Sequence, residues 1–360
     1  MKYVDEFRDP VAARRVLDEI ATLSTRPVHL MEFCGGHTHA IMRYGLRQLL
    51  PPTVYLHSGP GCPVCVTTAQ EIDRAIALAH LPGMILTTFG DMLRVPGTAG
   101  SLQEAQARGA DVRVVYSPLD ALQIAQAQPT RPVVFLGVGF ETTAPTVAAT
   151  LLQAESQNIL NFYILSMHKL TPPAIRAILD AGQVPLNGVI GPGHVTTVIG
   201  SMAWHFLPHE YGLACAVAGF EPLDILWAIR SLVDMCESGR SAVVNAYGRS
   251  VRANGNPTAQ ALIEQVFQIA DGEWRGLGRI PNSALSLRPE FAHRDAVHAF
   301  TVQVTPRPEP SGCRCGDVLR ALIAPDECPL FRRVCTPHNP LGPCMVSSEG
   351  ACAAYYQYQG

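Results

Sequence analysis

The sequence predicts an α/β protein: two parallel-sheet α/β domains facing a cleft, followed by a small cysteine-rich module. Three observations predict it. Short apolar runs alternate with stretches of helical periodicity, the grammar of a parallel sheet. Nearly every run ends in a glycine or polar turn, the place where open α/β sheets bind ligands. Beyond a proline-rich linker, Pro306 to Gly312, lie six cysteines: Cys313, Cys315, Cys328, Cys335, Cys344 and Cys352.

The bulk numbers narrow the class. A chain of 360 residues is too long for one small domain, and 48% hydrophobic content is enough for proper cores. A net charge of −3 gives no reason to expect nucleic acid or an anionic membrane as partner. No apolar run approaches the roughly eighteen residues a membrane span needs. Met1 to Asp9 is charged and lacks the apolar core of a signal peptide. A cytoplasmic location is therefore expected. Eleven cysteines in such a chain point to metal and thiol chemistry before structural disulfides.

Taken in order, residues 10 to 24 carry Val11, Val16, Leu17 and Ile20 near helical spacing. Pro27 to Phe33 is a buried strand that ends in Cys34-Gly35-Gly36-His37-Thr38-His39, with a helix expected over Ala40 to Leu50. A helix start here would aim N–H groups at Cys34 and favour its thiolate. Thr53 to His57 is a second strand, followed by Gly59-Pro60-Gly61-Cys62-Pro63-Val64-Cys65 and a helix from Thr68 to Ala79. Met84 to Phe89 and Val112 to Tyr116 are the next two strands. A polar segment from Ala127 to Pro132 suggests a boundary, which divides the chain into 1–128, 129–305 and 306–360.

The second unit repeats the pattern. Pro132 to Phe140 runs into Glu141-Thr142-Thr143, then a helix through Leu152. Phe162 to Ser166 leads to Met167-His168-Lys169, Gly188 to Ile190 to Gly191-Pro192-Gly193-His194, and residues 213–218 to Gly219-Phe220. Residues 223–238 and 256–270 have helical periodicity, and Trp274 to Pro281 is expected as loop.

The C-terminal six thiols need a staple, because about forty residues build little core alone. Three disulfides suit a secreted chain better than this one. Zinc favours paired CxxC knuckles, whereas the gaps here are 1, 12, 6, 8 and 7 residues. Widely spaced thiolates suit an iron–sulfur cluster, which takes four and leaves two for a redox-active pair. The spacing leaves open which four. Cys62 and Cys65 form either a dithiol–disulfide couple or half a zinc site with no second CxxC to complete it. Cys34 is a nucleophile activated by a histidine, a ligand to a soft metal, or a buried structural thiol. Glu141 either handles a proton or a ligand, or is a carboxylate favoured at a helix start. His194 sits in a turn, either functional or merely solvated. Cys215 and Cys236 are core positions.

Six stretches in register resemble the HypD family of nickel–iron hydrogenase maturation proteins. They are Phe33 to His39, Gly59 to Cys65, Gly90 to Gly97, Gly139 to Thr143, Gly191 to His194 and Cys344 to Gly350. The resemblance spans almost the whole chain. It implies a scaffold that works with a small HypC-type chaperone. On it, iron receives two cyanides from a HypE-type donor and a carbon monoxide. The Fe(CN)2CO unit then passes to the hydrogenase large-subunit precursor. Cys34 would be the iron ligand, Cys62 and Cys65 the redox-active dithiol, and His37, Glu141 and His194 would surround the iron. The family's ligand gaps of 14, 6 and 16 residues select Cys313, Cys328, Cys335 and Cys352 for a 4Fe-4S cluster. Cys315 and Cys344 would be a second thiol pair. Cys315 is the other candidate for the first ligand.

Two other classes compete. An iron–sulfur thiol–disulfide oxidoreductase uses the same cluster and CxxC, but gives Cys34-Gly35-Gly36-His37 no task. A zinc-dependent acyl or phosphoryl transferase lacks support from any phosphate-loop motif.

Overall fold

The structure, a computed structural model, describes residues 4–304 and 312–359. The expected linker from Pro306, and with it the 305/306 boundary, lies outside the described residues.

Two parallel sheets organise the chain. The first has the order β2-β1-β7-β8-β9, from β1 (Val28–Glu32), β2 (Val54–Ser58), β7 (Gly188–Pro192), β8 (Ala214–Ala218) and β9 (Val243–Asn245). The second has the order β4-β3-β5-β6, from β3 (Ile85–Thr88), β4 (Asp111–Val114), β5 (Val133–Gly139) and β6 (Phe162–His168). Every pairing within both sheets is parallel. β1, β5, β7 and β8 are buried almost throughout, as strands covered on both faces must be.

The sheets do not follow the expected halves. The boundary at 128/129 falls inside the second sheet, because β3 pairs with both β4 and β5. The chain builds two strands of the first sheet, lays down all of the second, and returns for β7 to β9. Local periodicity reports strands, whereas hydrogen-bond partners are chosen by long-range packing.

Helices fall close to expectation. Pro10–Leu23 is capped by Asp9, whose carboxylate accepts from the Val11 and Ala12 amides at 2.8 Å. Ala69–Ala79 begins with a Thr68–Glu71 capping box. Three details differ. The first glycine helix starts at Gly35 and ends at Arg43, so His37 and His39 are helical. His194 is also helical, in Gly193–Ile199. The helix expected over 256–270 stops at Val266. From there β10 (Phe267–Trp274) pairs antiparallel with β11 (Gly278–Leu287), over the segment expected as loop. Phe267 and Leu287 are buried against the second sheet, and that burial outweighs helical periodicity.

The C-terminal stretch is not a separate core. Cys315, Cys335, Cys344 and Cys352 share one buried cluster with Met31, Phe33, Cys62, Cys65, Phe140 and Trp274.

Candidate functional site

Four adjacent turns build the site, all from the carboxyl edge of the first sheet. β1 delivers Cys34, β2 the turn holding Cys62 and Cys65, β7 His194, and β8 Gly219-Phe220. Glu32 stands opposite Ser58 and Ile190 in the strand register, so the first three turns leave the sheet side by side. An open parallel sheet gathers ligand-binding turns there.

Cys34 is held by its main chain. Its N–H donates to Glu32 Oε2 at 2.9 Å, and Thr38 Oγ1 donates to Glu32 Oε1. The Gly35 N–H donates to the Gly61 carbonyl at 3.0 Å, tying the two cysteine-bearing turns together. Burial pushes the Cys34 thiol up to about 12, and the carboxylates of Glu349 and Glu32 add to this. The nearby Gly36 and His37 amides favour the thiolate, as expected, but burial and the acids outweigh them. Burial also lifts Glu32 to about 7, and raises Glu349. Sequence reasoning singled out neither acid. Glu32 had a signal, a carboxylate inside an apolar strand two residues before the thiol. Glu349 had none, since only the tertiary fold brings it to Cys34.

His37 Nε2 donates to the Ala218 and Gly219 carbonyls, at 3.2 and 3.0 Å. Its Nδ1 is buried without a hydrogen-bond partner among the described residues. Burial lowers the imidazole to about 4, which keeps it neutral. Phe220 stacks on His37 at 4.7 Å and on His194 at 3.9 Å, between ring centroids. This phenyl ring joins the two histidines, and sequence reasoning missed it.

Glu141 is placed on the second sheet, after β5. Its oxygens accept from the Thr171 N–H at 2.8 Å and the Thr171 hydroxyl at 2.9 Å. Those contacts fasten it to the start of helix Thr171–Ala181. Burial raises it to about 7.

The thiols form a line. Cys62 caps the short helix Pro63–Val66, its sulfur accepting from the Cys65 N–H at 3.3 Å. The Cys65 thiol interacts with Cys344 and Cys62. Cys344 interacts with Cys315, Cys352 and Cys65. Cys313 meets Cys315 in turn, and that contact, with burial second, raises its thiol. Cys313, Cys315, Cys328, Cys335 and Cys352 line one pocket with Leu330, Phe331 and Met345. Gly342 closes the pocket: a Cβ there would lie 2.6 Å from Cys313 Sγ and 2.7 Å from Cys315 Sγ. Cys344 is not among the lining residues and stands between the pocket and Cys65. Among the described residues, no three such side chains are disposed as a single-ion site. Cys215 and Cys236 are buried, as expected of core positions.

Fold and site together define an α/β protein of two parallel sheets, threaded by a chain of thiols that ends in a cysteine-lined pocket. The chain belongs to the HypD family, whose model, described as the Hydrogenase formation hypA family, matches residues 11–359. It is 50% identical to the hydrogenase maturation factor HypD of Azotobacter vinelandii, over 99% of this chain and 97% of that one. It is 48% identical to the HypD of Cupriavidus necator, over 99% and 97%. To the HypD of Escherichia coli it is 45% identical, over 100% and 98%. Family membership carries a role in hydrogenase maturation. No helix among the described residues is long and apolar enough to cross a membrane.

Proposed function

We propose that this protein is the cytoplasmic scaffold on which the Fe(CN)2CO unit of nickel–iron hydrogenase is assembled. It works with a HypC-type chaperone, takes cyanide from a HypE-type partner, and hands the product toward the large-subunit precursor. Iron is the cargo, and Cys34 is its ligand from this chain. Glu32 and Glu349 raise the thiol's affinity for its proton, and the same negative field favours a cation that takes the proton's place. His37, Phe220 and His194 form an aromatic wall beside the thiol, suited to diatomic ligands that need few hydrogen bonds.

The observation that carries this reading is the unbroken thiol line from the CxxC, tied to the Cys34 turn, to the cysteine-lined pocket. The chemistry of the pocket supports a 4Fe-4S cluster as its occupant: it is apolar, rich in thiols, and lined at Gly342 by a residue without a side chain. Cys313, Cys328, Cys335 and Cys352 would hold the cluster, with 312–359 as the iron–sulfur module. When bound, the cluster supplies one-electron redox capacity.

The chain's own thiols move oxidation in pairs. Cys344 thiolate attacks Cys65 of a Cys62–Cys65 disulfide and releases the Cys62 thiolate. Cys315 thiolate then attacks Cys344 and releases the Cys65 thiolate. One disulfide breaks, one forms, and the electron count is unchanged. The interactions of Cys65 with Cys344, and of Cys344 with Cys315, support this order.

Infrared spectroscopy tests the reading. The protein, co-expressed with its HypC-type chaperone and purified without oxygen, is expected to show metal-cyanide and metal-carbonyl bands that Cys34→Ala abolishes. Bands that persist in Cys34→Ala would overturn the ligand assignment. Absence of bands beside an intact cluster would favour a thiol–disulfide oxidoreductase.

A further inference from the structure

The two thiol pairs are joined by more than Cys344. The β10–β11 hairpin is anchored in the second sheet, where Phe267 and Leu287 are buried and the Leu170 N–H donates to the Ser283 carbonyl at 2.8 Å. Its far end, the turn from Trp274 to Gly278, lies elsewhere. Trp274 is buried in the cluster that also holds Cys65, Cys315 and Cys344. Its Nε1–H donates to Ser283 Oγ at 2.8 Å, which fixes the ring.

Each of the next two residues touches the neighbour of one exchanging thiol. The Arg275 N–H donates to the Val66 carbonyl at 2.9 Å, and Val66 follows Cys65. Gly276 lies against Gly316, which follows Cys315. A Cβ on Gly276 would stand 2.3 Å from Gly316 Cα, and a Cβ on Gly316 would stand 2.8 Å from Gly276 Cα. Adjacent Cα atoms are about 3.8 Å apart, so the step from Arg275 to Gly276 fixes Val66 relative to Gly316. The Arg275 side chain is buried, and its Nη2 donates to the Pro96 carbonyl at 3.1 Å, which fastens the tip to the loop after β3.

The turn alone does not account for Gly276. Gly276 and Gly278 both have a φ of +77°, the left-handed region that favours glycine. A Cβ on Gly278 would meet nothing within 4 Å, whereas one on Gly276 would strike the Gly316 backbone. The lack of a side chain at Gly276 is what lets the hairpin reach the Cys315 helix.

We propose that this hairpin tip is the spacer that sets the distance between the two thiol pairs, with Arg275 and Gly276 as positioning residues for the exchange through Cys344. The inference rests on the exchange proposed above. There, a thiolate must reach one sulfur of a disulfide at each step. Cys344 meets Cys65 in the first step and Cys315 in the second. A misplacement of about 1 Å costs an oriented reaction up to about a hundredfold, so the two pairs must be held at one separation. No atom of the tip enters the chemistry. Through the tip, the second sheet takes part in positioning the thiols.

A pair of matched variants tests this in the full-length protein, purified without oxygen. One equivalent of diamide introduces the disulfide, and timed alkylation with mass spectrometry follows its transfer from Cys62–Cys65 to Cys315–Cys344. Gly276→Ala is expected to slow the transfer at least tenfold. Gly278→Ala carries the same backbone strain without the contact, and is expected to stay within about twofold of the natural chain. Gly316→Ala, which closes the same contact from the other side, is expected to slow the transfer as well, and it decides if Gly276→Ala does not fold. Transfer slowed equally by Gly276→Ala and Gly278→Ala, or unslowed in both Gly276→Ala and Gly316→Ala, would overturn the spacer and leave the exchange standing. No transfer in the natural chain would overturn the exchange, and the spacer with it.

Discussion

Gly61 presses on the backbone of Cys34 so closely that a Cβ at Gly61 would stand 2.2 Å from the Cys34 nitrogen and 2.5 Å from its Cα. The turn leaving β2 and the turn leaving β1 are therefore one unit, and the CxxC is positioned by the same contact that positions the lone thiol. Gly61→Ala must push these turns apart. Overpacking of this kind costs about 1–3 kcal/mol. A lower urea midpoint and a changed rate of Cys34 alkylation are expected, and an unchanged rate would show that the turns are not coupled.

Cys344 is the thiol through which the line passes. In Cys344→Ser, a disulfide placed at Cys62–Cys65 is expected to stay there, because Cys65 loses its partner toward Cys315. Alkylation of quenched samples followed by mass spectrometry reads the positions of the disulfides. In the natural chain the label should distribute between the Cys62–Cys65 and Cys315–Cys344 pairs, and the same distribution in Cys344→Ser would break the proposed sequence of exchange.

Phe220 separates His37 from His194 and covers the approach to Cys34 across Gly36. A Cβ on Gly36 would lie 2.9 Å from the phenyl ring and 3.7 Å from Cys34 Sγ. Phe220→Ala is expected to raise the rate of Cys34 alkylation by iodoacetamide severalfold, with Phe220→Tyr close to the natural rate. The accompanying loss of stability should be about 2–3 kcal/mol, below the value for a fully buried ring because Phe220 is part-exposed.

Glu141 makes stability depend on pH. Burial lifts its folded pKa to about 7, from the ordinary 4.5 of a glutamate. The folded state then holds the proton more tightly than the unfolded one, so the contribution is full below about pH 4.5 and is lost as pH rises toward 7. The loss for this group is on the order of 3 kcal/mol across that window. Urea titrations at several pH values should show Glu141→Gln with a flatter decline than the natural chain. Parallel declines would mean that the carboxyl is not held protonated.

Much of this protein was legible as sequence. Alternating apolar runs and helical periods are local properties, so the positions of β1 to β8 and of the main helices follow from them. So does the placing of Cys34, of the CxxC and of His194 at the ends of strands. Family motifs carried the candidate residues further than spacing could. Spacing alone left open which of the six C-terminal thiols belong together.

What only the tertiary structure decided is who stands beside whom. Cys34 and His194 were expected from different halves of the chain, yet β1 and β7 are neighbours in one sheet. Strand partners are selected by long-range hydrogen bonds and packing, which leave no local trace in the sequence. The helix that gave way to the β10–β11 hairpin, the arrival of Glu349 at Cys34, and the joining of Cys65 to Cys344 have the same cause. Each is a contact between distant segments, made because the alternative would leave apolar surface or polar groups without partners. The sequence by itself determined which chemical groups are present and on what kind of element each is carried. Their assembly around the Cys34 turn and along the thiol line was decided by the burial of the elements against one another.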